Sequence, residues 1–290
     1  MMYTIENKNL RVVINPVGAE LSSLVNKTSG LEYLWSGDPV FWAKKSPVLF
    51  PIVGTLKDNS YFVNDKKYHL SRHGFAREKT FTVVNASPVS ISFELKSDES
   101  TLEVYPFQFS FSIIYTIEEN SMSVSYLVKN TGDQVMYFSV GGHPAFKMPI
   151  ADSVQYEDYY LLFNKTENAG HYPIDANGLL EKLPLPLLQN TNRLPLTKSL
   201  FYKDALVLKD LRSDEVQIKS DQHPAGLRFK FEGFPYLGIW AAKEADFVCI
   251  EPWCGIADVS GTSQQLNEKE GIQSLPQGDE FLRTWSVACW

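Results

Sequence analysis

Four polar side chains interrupt sequence that otherwise reads as strand, and their types are those of acid/base chemistry. His143 follows two glycines in VGGHPAFKMP, directly after the β-like run VMYFSV. His73 lies in SRHGFAR, behind the strand-like KKYHL and between Arg72 and Arg77. Asp204 opens the apolar run of FYKDALVLKDL, and Glu251 closes the run of FVCIEPWCG. An imidazole titrates at about 6.5 and so can give or take a proton near neutral pH. Glu251 shares its side of the alternation with Phe247 and Cys249, and Val248 and Ile250 occupy the other side, so both faces of that strand read as covered. Desolvation in such surroundings raises a carboxylate toward the strength of a general base.

Each residue also has a plainer reading. A strand-end histidine commonly serves as a hydrogen-bonding residue, and an aspartate before a strand is usually part of a turn. Two histidines and a carboxylate also make the three-ligand set of an iron or zinc enzyme, but the close pairs HxH and HExxH are missing, and no metal is expected. There is no GxSxG elbow for a serine nucleophile, and no glycine loop runs into a helix-like segment to cradle phosphate. His69, His171 and His223 read as strand or loop residues without a role. Cys249, Cys254 and Cys289 lack a paired CxxC pattern and read as free buried thiols.

The elements that would position these residues are strands. Ile91, Phe93 and Leu95 alternate, as do Phe109 to Ile117, Met122 to Val128, and Leu227 to Phe231. The short IEEN between two of these runs predicts a hairpin, hence an antiparallel sheet. No sustained helical stripe, flexible linker or repeat breaks the chain, so the expectation is all-β: one large antiparallel sandwich domain over residues 1–290. The proline-bearing stretch 173–201 predicts a long surface loop. With 44% hydrophobic and 13% aromatic residues the chain has ample core, and a net charge of -7 without a basic block argues against nucleic acid. No signal-like N-terminus or membrane-length apolar run is present, which predicts a cytoplasmic protein with no membrane partner. The oligomeric state stays open.

Taken in order along the chain, NPVGAELSSL, SPVLFPIVGTLKDNSY, SRHGFAR, VGGHPAF and CIEPWCGIAD resemble the aldose 1-epimerase (galactose mutarotase) family, and within it the LacX-like branch of mutarotase-related proteins. The resemblance implies a β-supersandwich fold and a cofactor-independent isomerase. It implies His143 as general acid, Glu251 as general base, and His73 and Asp204 as sugar-binding residues. Thr55 stands where the family commonly has an arginine after FPxVG, so Lys57 or Arg72 is the candidate for the positive donor. Trp253, Phe146 and Trp240 are aromatic candidates for the sugar face or for the core.

Interconverting anomers requires the anomeric hydroxyl to lose a proton while the ring oxygen gains one, which calls for one base and one acid with pKa values near neutrality. A carboxylate beside His143 is expected to favour its imidazolium form. The partner is then a hexose or hexose phosphate, the latter suggested by Arg72 and Arg77. Two other classes stay open: a sugar-binding or sensing protein with little turnover, and a metal-dependent sugar enzyme using His73, His143 and Glu251.

Overall fold

The computed structural model describes all 290 residues, and its architecture follows from the alternation. Phe109–Glu118 and Ser121–Asn130 bury every second side chain and pair in antiparallel register across a two-residue turn, as the hairpin signal predicts. Large β-branched and aromatic residues suit such a half-buried pleated surface. These two strands sit in a nine-stranded sheet whose order is Leu185–Pro195, Tyr159–His171, Glu215–Ser220, Leu227–Lys230, Glu280–Cys289, Ser121–Asn130, Phe109–Glu118, Ser90–Lys96 and Thr82–Ala86. Every pairing in it is antiparallel.

A second sheet faces it. Phe247–Cys254 is its central strand, flanked on one side by Tyr236–Trp240 and then Leu206–Leu208. On the other side lie Val140–Gly142, then Val48–Leu49, with Ala145–Lys147 also pairing the central strand. Inner-face aromatics meet between the sheets: Phe50 stacks on Phe111 at 4.5 Å, and Phe146 meets Phe229 edge-on at 5.9 Å. One contiguous cluster of 74 buried residues draws on both sheets and on the N-terminal sheet of three strands, so the sandwich has one main core. The large antiparallel β-supersandwich expected from the sequence is what forms. No helix is long and apolar enough to cross a membrane.

One expectation is corrected. The stretch 173–201 is not a continuous loop, because Leu185–Pro195 forms the edge strand of the nine-stranded sheet, paired with Tyr159–His171 through several bulges. Pro186 and Pro195 hide the strand from sequence patterning, yet an edge tolerates them because a missing N–H there leaves no inner ladder bond unmade.

Candidate active site

His143 and Glu251 meet because of a gap in a ladder. Gly141 pairs with Trp253 and Ala145 with Cys249 in one continuous antiparallel register, which sets His143 directly across from Glu251. Between those pairs the ladder is interrupted at His143 and Pro144, and the imidazole Nε2 lies 3.2 Å from the Glu251 Oε2. The two glycines before His143 have steric reasons. A Cβ at Gly141 would fall 2.7 Å from the Trp253 ring, and one at Gly142 would fall 2.6 Å from the Tyr126 hydroxyl. Glu251 lies inside its strand, not at the end, because the strand continues through Pro252 and Trp253 to Cys254.

The pair forms the floor of a cavity of about 300 Å³, the size of a small-ligand site. His143 is 8% exposed and Glu251 only 1%. Trp42 lies over the His143 ring at 4.9 Å, and Trp240 meets the same ring edge-on at 5.5 Å. Trp253 completes the aromatic lining, whereas Phe146 is in the core and does not reach the cavity. Three buried polar atoms here make no well-formed hydrogen bond within the protein: His143 Nδ1, Trp253 Nε1 and Glu251 Oε2, the last meeting His143 at ion-pair distance. Buried groups of this kind normally find partners, so their concentration in one cavity is the mark of a site for a polar ligand.

His73 enters from a tight turn. It adopts φ 69° and is followed by Gly74 at φ 70°, where a Cβ would collide with the Phe50 carbonyl at 2.4 Å. Gly54 clamps it: the His73 N–H donates to the Gly54 carbonyl, and the Gly54 N–H donates to His73 Nδ1 at 3.1 Å. A backbone amide only donates, so Nδ1 accepts here, and Nε2 in turn faces the Arg72 Nε–H donor. That nitrogen lies 3.2 Å from Arg72 Nε. Burial first, then the charges of Arg72, His143 and Arg77, holds the His73 pKa well below 6.5, and the ring is uncharged.

Arg72 and Arg77 both line the cavity. Arg77 donates to the Arg72 carbonyl, and the Arg72 guanidinium lies 3.5 Å from Asp204 Oδ1 at the rim. Asp204 also accepts from the Ala205 N–H and holds φ 140°, a backbone region that side-chain-bearing residues rarely occupy.

The electrostatics correct one expectation. Burial pushes the Glu251 pKa well above the carboxylate range, with Arg72 and Arg77 opposing the rise and Asp204 adding to it. The same burial, opposed by a backbone hydrogen bond and aided by the two arginines, pushes His143 down to about 3. The neighbouring carboxylate does not hold His143 as imidazolium, because desolvation penalises both charges of the pair. Both shifts favour the uncharged forms, a neutral imidazole beside a protonated carboxyl.

Lys57 is the candidate that the structure leaves outside. Its backbone N–H donates to Asp258 Oδ2, and its side chain is not among those lining the cavity. Thr55 does not line the cavity either, and its hydroxyl packs against Gly178, where a Cβ would sit 2.5 Å from it. The cavity's positive donors are therefore Arg72 and Arg77, from a neighbouring turn.

Sequence reasoning missed Trp42, which lies in the unpatterned stretch before Ala43 and carried no signal. It also missed the fully buried Lys269–Asp258 ion pair, 2.7 Å long. Asp258 binds the Lys57 amide and donates its own N–H to the Thr55 carbonyl, tying down the loop whose Gly54 fixes His73.

The chain is similar to known proteins over nearly its whole length. The aldose 1-epimerase family model matches residues 1–273. The chromosomal LacX protein of Lactococcus lactis subsp. lactis is 34% identical over 293 residues, covering 97% of this chain and 95% of that protein. A galactose mutarotase related enzyme from Lactobacillus acidophilus superposes with a TM-score of 0.95 at 36% identity, covering 100% of this chain and 97% of its own. A galactose mutarotase-like protein from Lactobacillus casei gives 0.92 at 31% identity, with both chains fully covered.

Proposed function

The chain belongs to the aldose 1-epimerase family, and from that premise we propose that it is a mutarotase: a cofactor-independent enzyme that interconverts the α and β anomers of a hexose or hexose derivative. The observation that carries this reading is the buried His143–Glu251 pair, 3.2 Å apart, facing a sugar-sized cavity.

In the proposed reaction Glu251 removes the proton from the anomeric hydroxyl while His143 protonates the ring oxygen. The bond between C1 and the ring oxygen breaks and C1 becomes an aldehyde carbonyl. Rotation about the C1–C2 bond exposes its other face, and the two transfers run backward to close the opposite anomer. Nothing is oxidised or reduced, and the pair holds one proton throughout. In the ring-opening step that proton starts on His143 and the open-chain state leaves it on Glu251, the uncharged distribution that burial favours. Arg72 and Arg77 pull Glu251 back toward the carboxylate needed to start.

The remaining residues position the sugar. His73, uncharged and held by Gly54 and Arg72, lines the wall against which the ring lies, and Arg72 with Asp204 holds hydroxyls at the rim. Trp42, Trp240 and Trp253 supply flat apolar faces for the C–H side of the ring. The arginines also suit a phosphorylated hexose.

Thr55 supports a second reading, a sugar-binding protein of low turnover, since the family's arginine donor has no counterpart at that position. One experiment separates the two. Anomer exchange of freshly dissolved α-glucose, α-galactose and glucose 6-phosphate is followed by polarimetry or NMR, with wild type beside His143→Asn. The mutarotase reading expects acceleration of at least one sugar, lost in the variant. Saturable binding without acceleration supports the sensor, and equal rates in the variant remove His143 from catalysis.

A further inference from the structure

Cys249 stands beside the proposed catalytic pair, and no step of the mechanism uses it. It precedes Glu251 by two positions on the same strand, so the two side chains share one face. Its thiol, the His143 imidazole and the Glu251 carboxylate each offer one ligand atom, and all three atoms lie within 4.8 Å of one another. We propose that His143, Cys249 and Glu251 form a site for a thiophilic divalent cation, zinc above all, whose occupation blocks the sugar site. Only the second half of that statement rests on the mutarotase reading.

The geometry is close to what zinc requires. Nitrogen and oxygen ligands at about 2.0–2.1 Å in a tetrahedron lie roughly 3.3 Å apart, and a sulfur ligand lies roughly 3.5 Å from either. The His143 Nε2 to Glu251 Oε2 separation is 3.2 Å, and that oxygen makes no well-formed hydrogen bond in the protein. The Cys249 Sγ lies within 4.8 Å of both ligand atoms, so closing the set requires the thiol to approach them, while His143 and Glu251 also line the cavity. All three residues are more than nine-tenths buried, and the charges cancel: one dication, one thiolate, one carboxylate and a neutral imidazole. A neutral complex avoids the desolvation cost that a lone buried ion carries.

The ligand set differs from the one considered from sequence. His73 is unsuited, because Gly54 engages its Nδ1 and its Nε2 faces the Arg72 cation. Hard cations such as magnesium prefer all-oxygen ligands and are not expected to bind here. Binding expels two protons for each zinc, one from the Cys249 thiol and one from the His143–Glu251 pair. The metal then holds the carboxylate and imidazole that anomer exchange needs.

The test is calorimetric titration of the untagged chain with zinc chloride in buffers of different ionisation enthalpy, and with cobalt(II) by absorption spectroscopy. Wild type, Cys249→Ala, Cys249→Ser and His143→Asn are compared. The expected result is one zinc per wild-type chain with proton release, and a sulfur-to-cobalt charge-transfer band. Affinity should fall more than about a hundredfold in Cys249→Ala, beyond the loss of an outer-shell partner. Zinc should also slow anomer exchange in wild type more strongly than in Cys249→Ser, each measured against its own metal-free rate. Equal zinc affinity in wild type and the cysteine variants, or cobalt binding without the sulfur band, overturns the site. Should the cysteine variants fail to fold, the wild-type cobalt spectrum and its loss in His143→Asn decide. A chain that binds zinc in this way yet accelerates no sugar keeps the metal site and removes the mutarotase reading, so the two failures are distinct.

Discussion

Replacing His143 with asparagine tests the electrostatics and the chemistry of the site together. In the folded chain burial holds the imidazole pKa down at about 3; in the unfolded chain it titrates at about 6.5. Between those values the unfolded chain takes up a proton that the folded chain refuses. The corresponding stability is full above about pH 6.5 and is lost as pH falls toward 3. At 1.36 kcal/mol per pH unit below the unfolded pKa, lowering the pH from 7.5 to 4.5 costs the wild type about 3 kcal/mol from this one residue. Asparagine binds no proton, so His143→Asn should lose about 3 kcal/mol less stability over that window. Glu251 acts in the opposite direction in both proteins, because its shift is set first by burial, which the asparagine retains. The assay is urea unfolding followed by tryptophan fluorescence at several pH values from 4.5 to 7.5. Parallel loss of stability in the two proteins would mean that His143 is already charged in the folded chain, and the argument from burial would be wrong. The same variant should lose roughly 10²- to 10⁴-fold in anomer exchange, the usual contribution of a general acid.

Glu251→Gln should lose a similar roughly 10²- to 10⁴-fold in rate. Because the folded carboxylate titrates above its unfolded value, the wild type loses stability as pH rises from about 4.5 toward that folded value. Denaturation of the two proteins should therefore diverge in favour of the glutamine variant as pH rises, and a gap that closes instead would contradict the raised pKa. Lys57→Ala should leave kcat and KM within about twofold, a surface-like response, since only its backbone is tied to the site loop; a large rise in KM would put its side chain on the sugar. Lys269→Ala leaves Asp258 buried without its partner and should cost about 3–5 kcal/mol by calorimetry, with a loss under about 1 kcal/mol refuting a structural role for the pair.

Much of the sandwich was legible because a sheet with one buried face writes itself as alternation, and the Phe109–Asn130 hairpin is the plainest case. Leu185–Pro195 was not legible, because an edge strand need not alternate and can carry prolines. Among the site residues, His73, His143, Asp204 and Glu251 announced themselves as polar groups at the wrong places in apolar sequence. Trp42 gave no such signal, since a tryptophan lining a cavity looks the same in sequence as one in the core.

Local patterning thus determined the sheet class and the polar residues that interrupt it, the resemblance implied which are acid and base, and the reason for the glycines before His143 lies in contacts with Trp253 and Tyr126. The tertiary structure alone decided which cations reach the cavity, bringing Arg72 and Arg77 in and leaving Lys57 out. It also decided the charge state of the pair, since desolvation depends on everything packed around a group, and it set Cys249 beside His143. Strand register and burial are properties of contacts between segments far apart in the chain, and no short stretch of sequence contains them.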